Sequence, residues 1–493
     1  MSNFKDKLKY GGFSIVITVL VIIAVFTVNI FATYVENNNG FRLDFTPTRS
    51  YTLDRNAEAA IANLNTEVKI YTFIPKDNAS AYSTYTQNIS SMFDGASDKI
   101  TYVNVDPRVN PSKLEQFSSD TKKLGEFSVV ICQNDDESNY QAFNESELHE
   151  YNENTMKEYF VLQRILTSAL IYMRTGNKPN VYILTGHGED VTSNETLIMI
   201  NRIRRENCNV EQINLLTDEK KLQQGDILVV LEPESDLSKG EYEEIRSFLS
   251  DSYGRMLFMC SRLSDDSGQP LTNYRNLLDN FHITLEDGFV AETNNKNYYN
   301  NSPKHIKLIA DQVHDISKSV RSANEPVYVN ETASYSYNYN TDITTGTHSE
   351  TFTNILTSYQ SSVLVPWENS SDYEASDYEL GIRGIGCAYE RKNTSISGTL
   401  ATTTTRILLF GSETLATGEY LGNSNILRNG INWLAGREAT DYIVSVGMSI
   451  DLSDHYVQLT QFQTQVWFSI LVVAVPAIIF IFGIVVWLRR KNL

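Results

Sequence analysis

The residues best suited to chemistry stand in the stretch VYILTGHGED, where His187 lies between Gly186 and Gly188 and is followed by Glu189. The apolar residues before it read as a buried strand. Thr192 and Glu195 after it read as a capping box that opens a helix. Thr185, Gly186, His187, Gly188 and Glu189 therefore occupy a strand-to-helix turn. In open α/β sheets, ligands bind beyond the carboxyl ends of the strands, and free amides at a helix start favour an anion. The two glycines would let a ligand approach the backbone. They would equally serve a tight turn with positive φ, in which His187 and Glu189 cap local groups. An acid–base pair of His187 and Glu189 would need a nucleophile, a metal or an oxyanion donor, and the sequence displays none.

A nucleophile elbow sets Ser or Cys between glycines on a strand-to-helix turn. Phe258 and Arg262 flank Cys260, Ile385 and Tyr389 flank Cys387, and Phe410 and Thr414 flank Ser412, so all three miss the pattern. There is no phosphate loop of the form G-x-x-x-x-G-K-[ST]. Gly384-Ile385-Gly386 and Gly186-His187-Gly188 begin like dinucleotide fingerprints, but Tyr389 and Val191 replace the third glycine, so both read as tight turns. Asp135-Asp136-Glu137 and Asp265-Asp266 lack the spacing of a calcium loop. Four cysteines without CxxC exclude a disulfide scaffold or a zinc site of ordinary spacing. Cys132 and Cys260 end apolar strands and read as buried thiols, with one disulfide as the alternative. No cofactor or metal is expected.

Around these residues runs a chain of 493 residues, 41% hydrophobic, with room for two or three folded units. Its 60 acidic and 41 basic residues give a net charge of -19, the wrong sign for a broad nucleic-acid surface. Residues 13–34 and 466–488 form two uncharged apolar runs, the second with Trp467 and Trp487 near its ends and Pro476 inside. Each is long enough for the hydrocarbon core of a bilayer. Lys5, Lys7, Lys9, Arg489, Arg490 and Lys491 against Asp6 leave the tails at +5 and the segment between the runs at -24. By the positive-inside rule this predicts a two-pass protein of the cell membrane, both termini cytoplasmic and the large domain extracytoplasmic.

The expected order is a cytoplasmic tail (1–12), a transmembrane helix (13–34), and two α/β subdomains (41–150 and 151–290). An irregular Asn-, Tyr- and Ser-rich insertion (291–379) follows, then strands and a helix completing the second sheet (380–445). A linker (446–465), a transmembrane helix (466–488) and a cytoplasmic tail (489–493) end the chain. Asp54 is a helix N-cap, residues 156–173 a helix with one apolar face, and Ser238 with Glu241 a second capping box. Near-continuous apolar strands between helices, as at 227–231 and 256–260, predict parallel sheets covered on both faces. The tyrosine-rich segments of the insertion invite stacking on a sugar, but the 28 tyrosines are spread along the whole chain, and loops or short antiparallel strands are the favoured reading.

In FRLDFTPTRSYTLD, VKIYTFI, ALIYMRTGNKPNVYILTGHGED, ILLFGSETL and NILRNGINWL, the chain resembles the GldG family. These are auxiliary membrane subunits of ABC transport systems, of the gliding-motility-associated type, and the resemblance spans almost the whole chain. The family's Asp-Leu-Thr stretch and its Tyr-Ser-Leu turn appear as Asp44-Phe45-Thr46 and Tyr51-Thr52-Leu53. Its Thr-Gly-His-Gly-Glu motif is matched without change at 185–189, and its late Gly-Asp-Ser-Asp stretch only loosely by Gly411-Ser412-Glu413. The resemblance implies an ectodomain similar to the class I glutamine amidotransferase fold without its catalytic cysteine. It also implies a separate ABC ATPase and a multispanning permease as partners, beside the bilayer. The expectation is a non-catalytic accessory subunit whose extracytoplasmic domain binds a small ligand, an envelope polymer or a sister subunit. Thr185, Gly186, His187, Gly188, Glu189, Ser412 and Glu413 are its candidate contacts. The alternative is an extracytoplasmic hydrolase or transferase of amidotransferase-like fold.

Overall fold

A computed structural model describes residues 52–437 apart from short gaps, together with 450–451 and isolated positions in the terminal runs. The chain divides into two units, Met1–Asp451 and Leu452–Leu493, and every element below belongs to the first.

Asp54 caps the first described helix, α1 (Arg55–Ala62), by accepting hydrogen bonds from the amides of Asn56 and Ala57. Four strands and two helices follow in the order β1 (Val68–Thr72), α2 (Ala81–Ala96), β2 (Ile100–Asn104), α3 (Pro111–Gln116), β3 (Val129–Gln133) and β4 (Tyr140–Phe143). Their sheet has the order β2-β1-β3-β4, with β1 and β2 parallel and the other pairs antiparallel. The first sheet is thus mixed rather than parallel, because the short connection from β3 to β4 permits only a hairpin.

Next come β5 (His149–Asn152) and β6 (Lys157–Phe160), an antiparallel pair, and then α4 (Leu162–Thr175). The single helix expected over 156–173 is therefore a strand followed by a helix. Lys-Glu-Tyr-Phe finds a partner strand in His-Glu-Tyr-Asn, and cross-strand pairing overrides the helical pattern there.

The central block contains β7 (Asn180–Leu184), α5 (Asn194–Arg205), β8 (Asn209–Ile213), β9 (Ile227–Leu231), α6 (Lys239–Ser250), β10 (Arg255–Met259) and α7 (Thr272–Asp279). Through the insertion run β11 (Ile283–Leu285), β12 (Phe289–Glu292), β13 (Tyr298–Tyr299), β14 (Ser302–Ala310), α8 (Lys318–Ser322), β15 (Val327–Asn330) and β16 (Tyr335–Tyr337). β17 (Ile343–Thr345), β18 (His348–Thr357) and β19 (Ser362–Val365) complete it. After it come β20 (Gly384–Ser395), β21 (Ala401–Phe410), α9 (Thr414–Thr417), α10 (Leu421–Leu434) and β22 (Ile450–Asp451). The segment Gly384-Ile385-Gly386, expected as a tight turn, begins strand β20.

The strands β8-β7-β9-β10-β21 are all parallel, and β20 and β18 extend the sheet as antiparallel neighbours. All five residues of β9 are buried because both faces are covered. Val229 and Leu231 pack with α5 and α10 through Ile203, Ile426 and Ile431. Leu228 and Val230 pack with α6 and α7 through Ile245, Phe248 and Leu277. This is an open mixed α/β architecture of sheets and helices.

Among the described residues no helix is long and apolar enough to cross a membrane. The longest, α2, has 16 residues, whereas a span needs about 20 predominantly apolar ones. This overturns the expectation of a two-pass membrane protein with an extracytoplasmic domain. The apolar runs at 13–34 and 466–488 lie, isolated positions aside, outside the described residues.

Candidate functional site

Numbered by their order in the chain, the five parallel strands run 2-1-3-4-5 across the sheet, so connections leave β7 and β9 in opposite directions. A crevice opens at such a reversal, beyond the carboxyl ends of the strands. The 185–189 loop follows β7, Glu232 follows β9, Cys260 and Ser261 follow β10, and Gly411, Ser412 and Glu413 follow β21. The fold thus gathers the sequence candidates at one end of the sheet.

Gly186 and Gly188 take φ of 114° and 96°, which makes the loop a tight turn. A Cβ on Gly188 would stand 2.6 Å from Oε2 and 2.7 Å from Cβ of Glu234. The turn swings His187 inward, where it is 3% exposed. Its Nδ1 lies 3.2 Å from Oε1 of Glu189, and its Nε2 lies 3.2 Å from Oε1 of Glu241, near the start of α6. The side chains of Glu189 and Glu241 are 0% and 2% exposed. Glu189 also accepts the amide proton of His187 at 2.7 Å, and the His187 carbonyl accepts from the amides of Glu234 and Ser235. Burial opposes a charged imidazole, but the two carboxylates outweigh it and the His187 pKa is raised.

Ser238 and Glu241 form the expected capping box, and the same Glu241 carboxylate reaches His187. At α5 the cap is Ser193 rather than Thr192. The carboxylate of Asp190 accepts from the amides of Thr192 and Ser193, which holds Thr192 in the preceding turn.

Thr185 donates its hydroxyl to the Ile213 carbonyl, and Ser412 donates to that of Asn330 at 2.8 Å. Both hydroxyls fasten loops. Glu413 is exposed, and partial burial of its carboxyl with the carboxylates of Asp190 and Glu195 raises its pKa. The carboxylates of Asp190, Glu195 and Glu413 act on one another and make this end of the sheet acidic.

Sequence reasoning missed Glu232. It follows the apolar strand ILVVL directly, and that was its only signal. Its φ of 34° is a left-handed conformation that costs an L-residue roughly 1–2 kcal/mol. Its carboxylate accepts from the amide and hydroxyl of Ser261 at 2.8 and 3.0 Å. Burial raises its pKa to about 7, with the nearby Glu413 adding to the effect and the Ser261 hydrogen bonds opposing it.

All four cysteines are free and buried, so the single disulfide is excluded. The Cys260 thiol donates to the Arg262 carbonyl, and burial pushes its pKa well up. Among the described residues no group of three or more His, Cys, Asp or Glu could hold a metal ion. Tyr299, His305 and Tyr328 of the insertion pack on one another and on Tyr420 before α10, with 4.4 Å between the rings of Tyr328 and Tyr420.

No family model and no curated protein matches the chain. Among solved structures it is similar to the mmIFT52 N-terminal domain, at 15% identity over 52% of this chain and 96% of that one, with a TM-score of 0.36. It is also similar to a mutant of the alkylhydroperoxide reductase protein AhpF from Enterococcus faecalis, at 14% identity over 33% and 78%, with a TM-score of 0.17. Likeness at that level carries no argument about function.

Proposed function

We propose that this chain is a non-catalytic accessory subunit that works beside an ABC-type ATPase and permease, with the crevice at the end of the parallel sheet as a binding or assembly surface. The observation that carries this reading is the use of the crevice's chemical groups for structure. His187 is held between Glu189 and Glu241, Ser412 and Thr185 fasten loops, and the Cys260 thiol is buried and protonated. An amidotransferase-like fold would place its nucleophile at this end of the sheet, and an inert thiol there agrees with a member that binds rather than turns over. The nature of the partners follows from the sequence resemblance at 185–189 and its flanking stretches.

The acidic end of the sheet favours a cationic or hydrogen-bond-donating contact. One group favours the hydrolase or transferase reading, namely Glu232, whose pKa near 7 would suit a general acid or base. Complementation of a deletion strain separates the two. Cys260→Ala and Glu232→Gln, singly and together, are expected to support the deleted function. Loss of function in folded, normally expressed variants would favour the enzyme.

A further inference from the structure

The first sheet ends at β4 and the second at β8, and no strand pairs with either outer edge among the described residues. Both edges line one cleft of about 960 Å³, with Tyr140 and Ala142 on one wall and Asn209 and Val210 on the other. The direction of the open backbone groups follows from the ladders. The Asn209 amide donates to Pro179 and the Ile213 carbonyl accepts from Thr185, so Asn209, Glu211 and Ile213 face β7. By alternation, Val210 and Gln212 point their N–H and C=O groups outward. On β4, the bond from the Gln133 amide to Asn139 fixes the ladder in the same way and turns Tyr140 and Ala142 outward.

The cleft also differs in charge from the rest of a chain whose net charge is -19. Lys122, Lys178, Arg204 and Arg205 line it together with two carboxylates, Glu147 and Glu211. Glu147 pairs with Lys122, and Glu211 pairs with Lys220. Lys178 and Arg204, both exposed, therefore leave a cationic excess beside an open strand.

We propose that this cleft binds an extended acidic peptide segment of a partner protein, which adds to the second sheet along β8, with β4 as the opposite wall. Exposed edges are templates for such strand addition, in which backbone hydrogen bonds supply affinity and side-chain sites supply selectivity. The five residues of β8 span about 16 Å and match a peptide of about five residues. Nucleic acid shares the negative charge but offers no peptide ladder, so the open edge favours the peptide. The proposal is independent of the accessory-subunit reading, since the cleft lies along a sheet edge and uses none of the groups at the strand ends.

The test uses the full chain and a fluorescein-labelled heptapeptide of alternating Glu and Val, read by fluorescence anisotropy. Three controls accompany it: the Lys–Val counterpart, a version N-methylated at alternate amides, and a single-stranded oligonucleotide. The Glu–Val peptide is expected to bind, with the Lys–Val and N-methylated peptides at least roughly tenfold weaker. The double variant Lys178→Glu, Arg204→Glu should lose about tenfold, because both side chains are exposed and serve only the charge match. Val210→Pro should lose binding while keeping the β7 ladder, because only an outward N–H is removed. Equal binding of the N-methylated and parent peptides would overturn the proposal, since no backbone ladder would then be in use. So would no binding of the Glu–Val peptide, or binding of the oligonucleotide alone. The N-methyl comparison uses wild-type protein and decides the matter even if Val210→Pro does not fold.

Discussion

Nε2 of His187 lies 3.2 Å from Oε1 of Glu241, which ties the loop after β7 to the start of α6. With Glu189 on its other nitrogen, the imidazole sits between two buried carboxylates that favour its charged form. Removing it would leave two buried carboxylates without their cation. His187→Ala is expected to cost roughly 3–5 kcal/mol of unfolding free energy, measured by urea denaturation at about pH 6.

The same group sets a pH dependence. The His187 pKa is raised on folding, so its contribution is fully present below the unfolded value of 6.5 and is lost as pH rises through the higher folded value. Wild-type stability should fall across that window. His187→Gln should flatten this part of the profile, and an unchanged slope in the variant would show that other groups produce it.

Glu232 contributes with the opposite chemistry and the same direction in pH. Its pKa rises from 4.5 to about 7 in the fold, so the folded state prefers the neutral acid and is penalised as pH climbs between those values. Glu232→Gln is expected to raise stability at about pH 8 by roughly 2–3 kcal/mol, with the gain vanishing at about pH 4. Thermal melting at both pH values reads the difference.

Gly188 and Gly225 share a φ near 95°, but only Gly188 is crowded, by Glu234. Gly225→Ala should therefore show the backbone cost alone, about 1 kcal/mol. Gly188→Ala should cost clearly more, roughly 3 kcal/mol, because Glu234 must also move. Equal losses in the two variants would mean that the contact relaxes freely.

The four thiols are buried, and burial raises the pKa of Cys132 to about 11 and of Cys208 to about 12. A thiol reagent such as DTNB should leave the native protein unlabelled on the minutes scale and react with four groups after denaturation. Rapid native labelling of Cys260 would reopen the question of a nucleophile.

What could be read from the sequence was mostly local. Asp54 before α1, Ser238 with Glu241 at α6, and the all-apolar β9 each signal themselves within a few residues, and the fold keeps them. The segment 157–160 did not, because its strand state depends on pairing with β5. The glycines of the 185–189 turn were legible as a turn. The burial of His187 was not, because it depends on a carboxylate brought in by another helix. Glu232 acquires its raised pKa only when folding buries it and brings Glu413 close. The mixed order of the first sheet likewise reflects which strands pair, and the apolarity of β1 and β3 does not encode that.

The proposed assembly of the chain with an ATPase and a permease, without catalysis of its own, is open to a single biochemical test. Affinity purification of the tagged full chain from mildly detergent-solubilised cells, with quantitative mass spectrometry, tests it most directly. An ABC-type ATPase and a multispanning permease are expected to be recovered with the chain in fixed ratio across several detergents. Recovery of the chain alone under all of them, with a hydrolytic activity in the same fractions that Glu232→Gln removes, would contradict it.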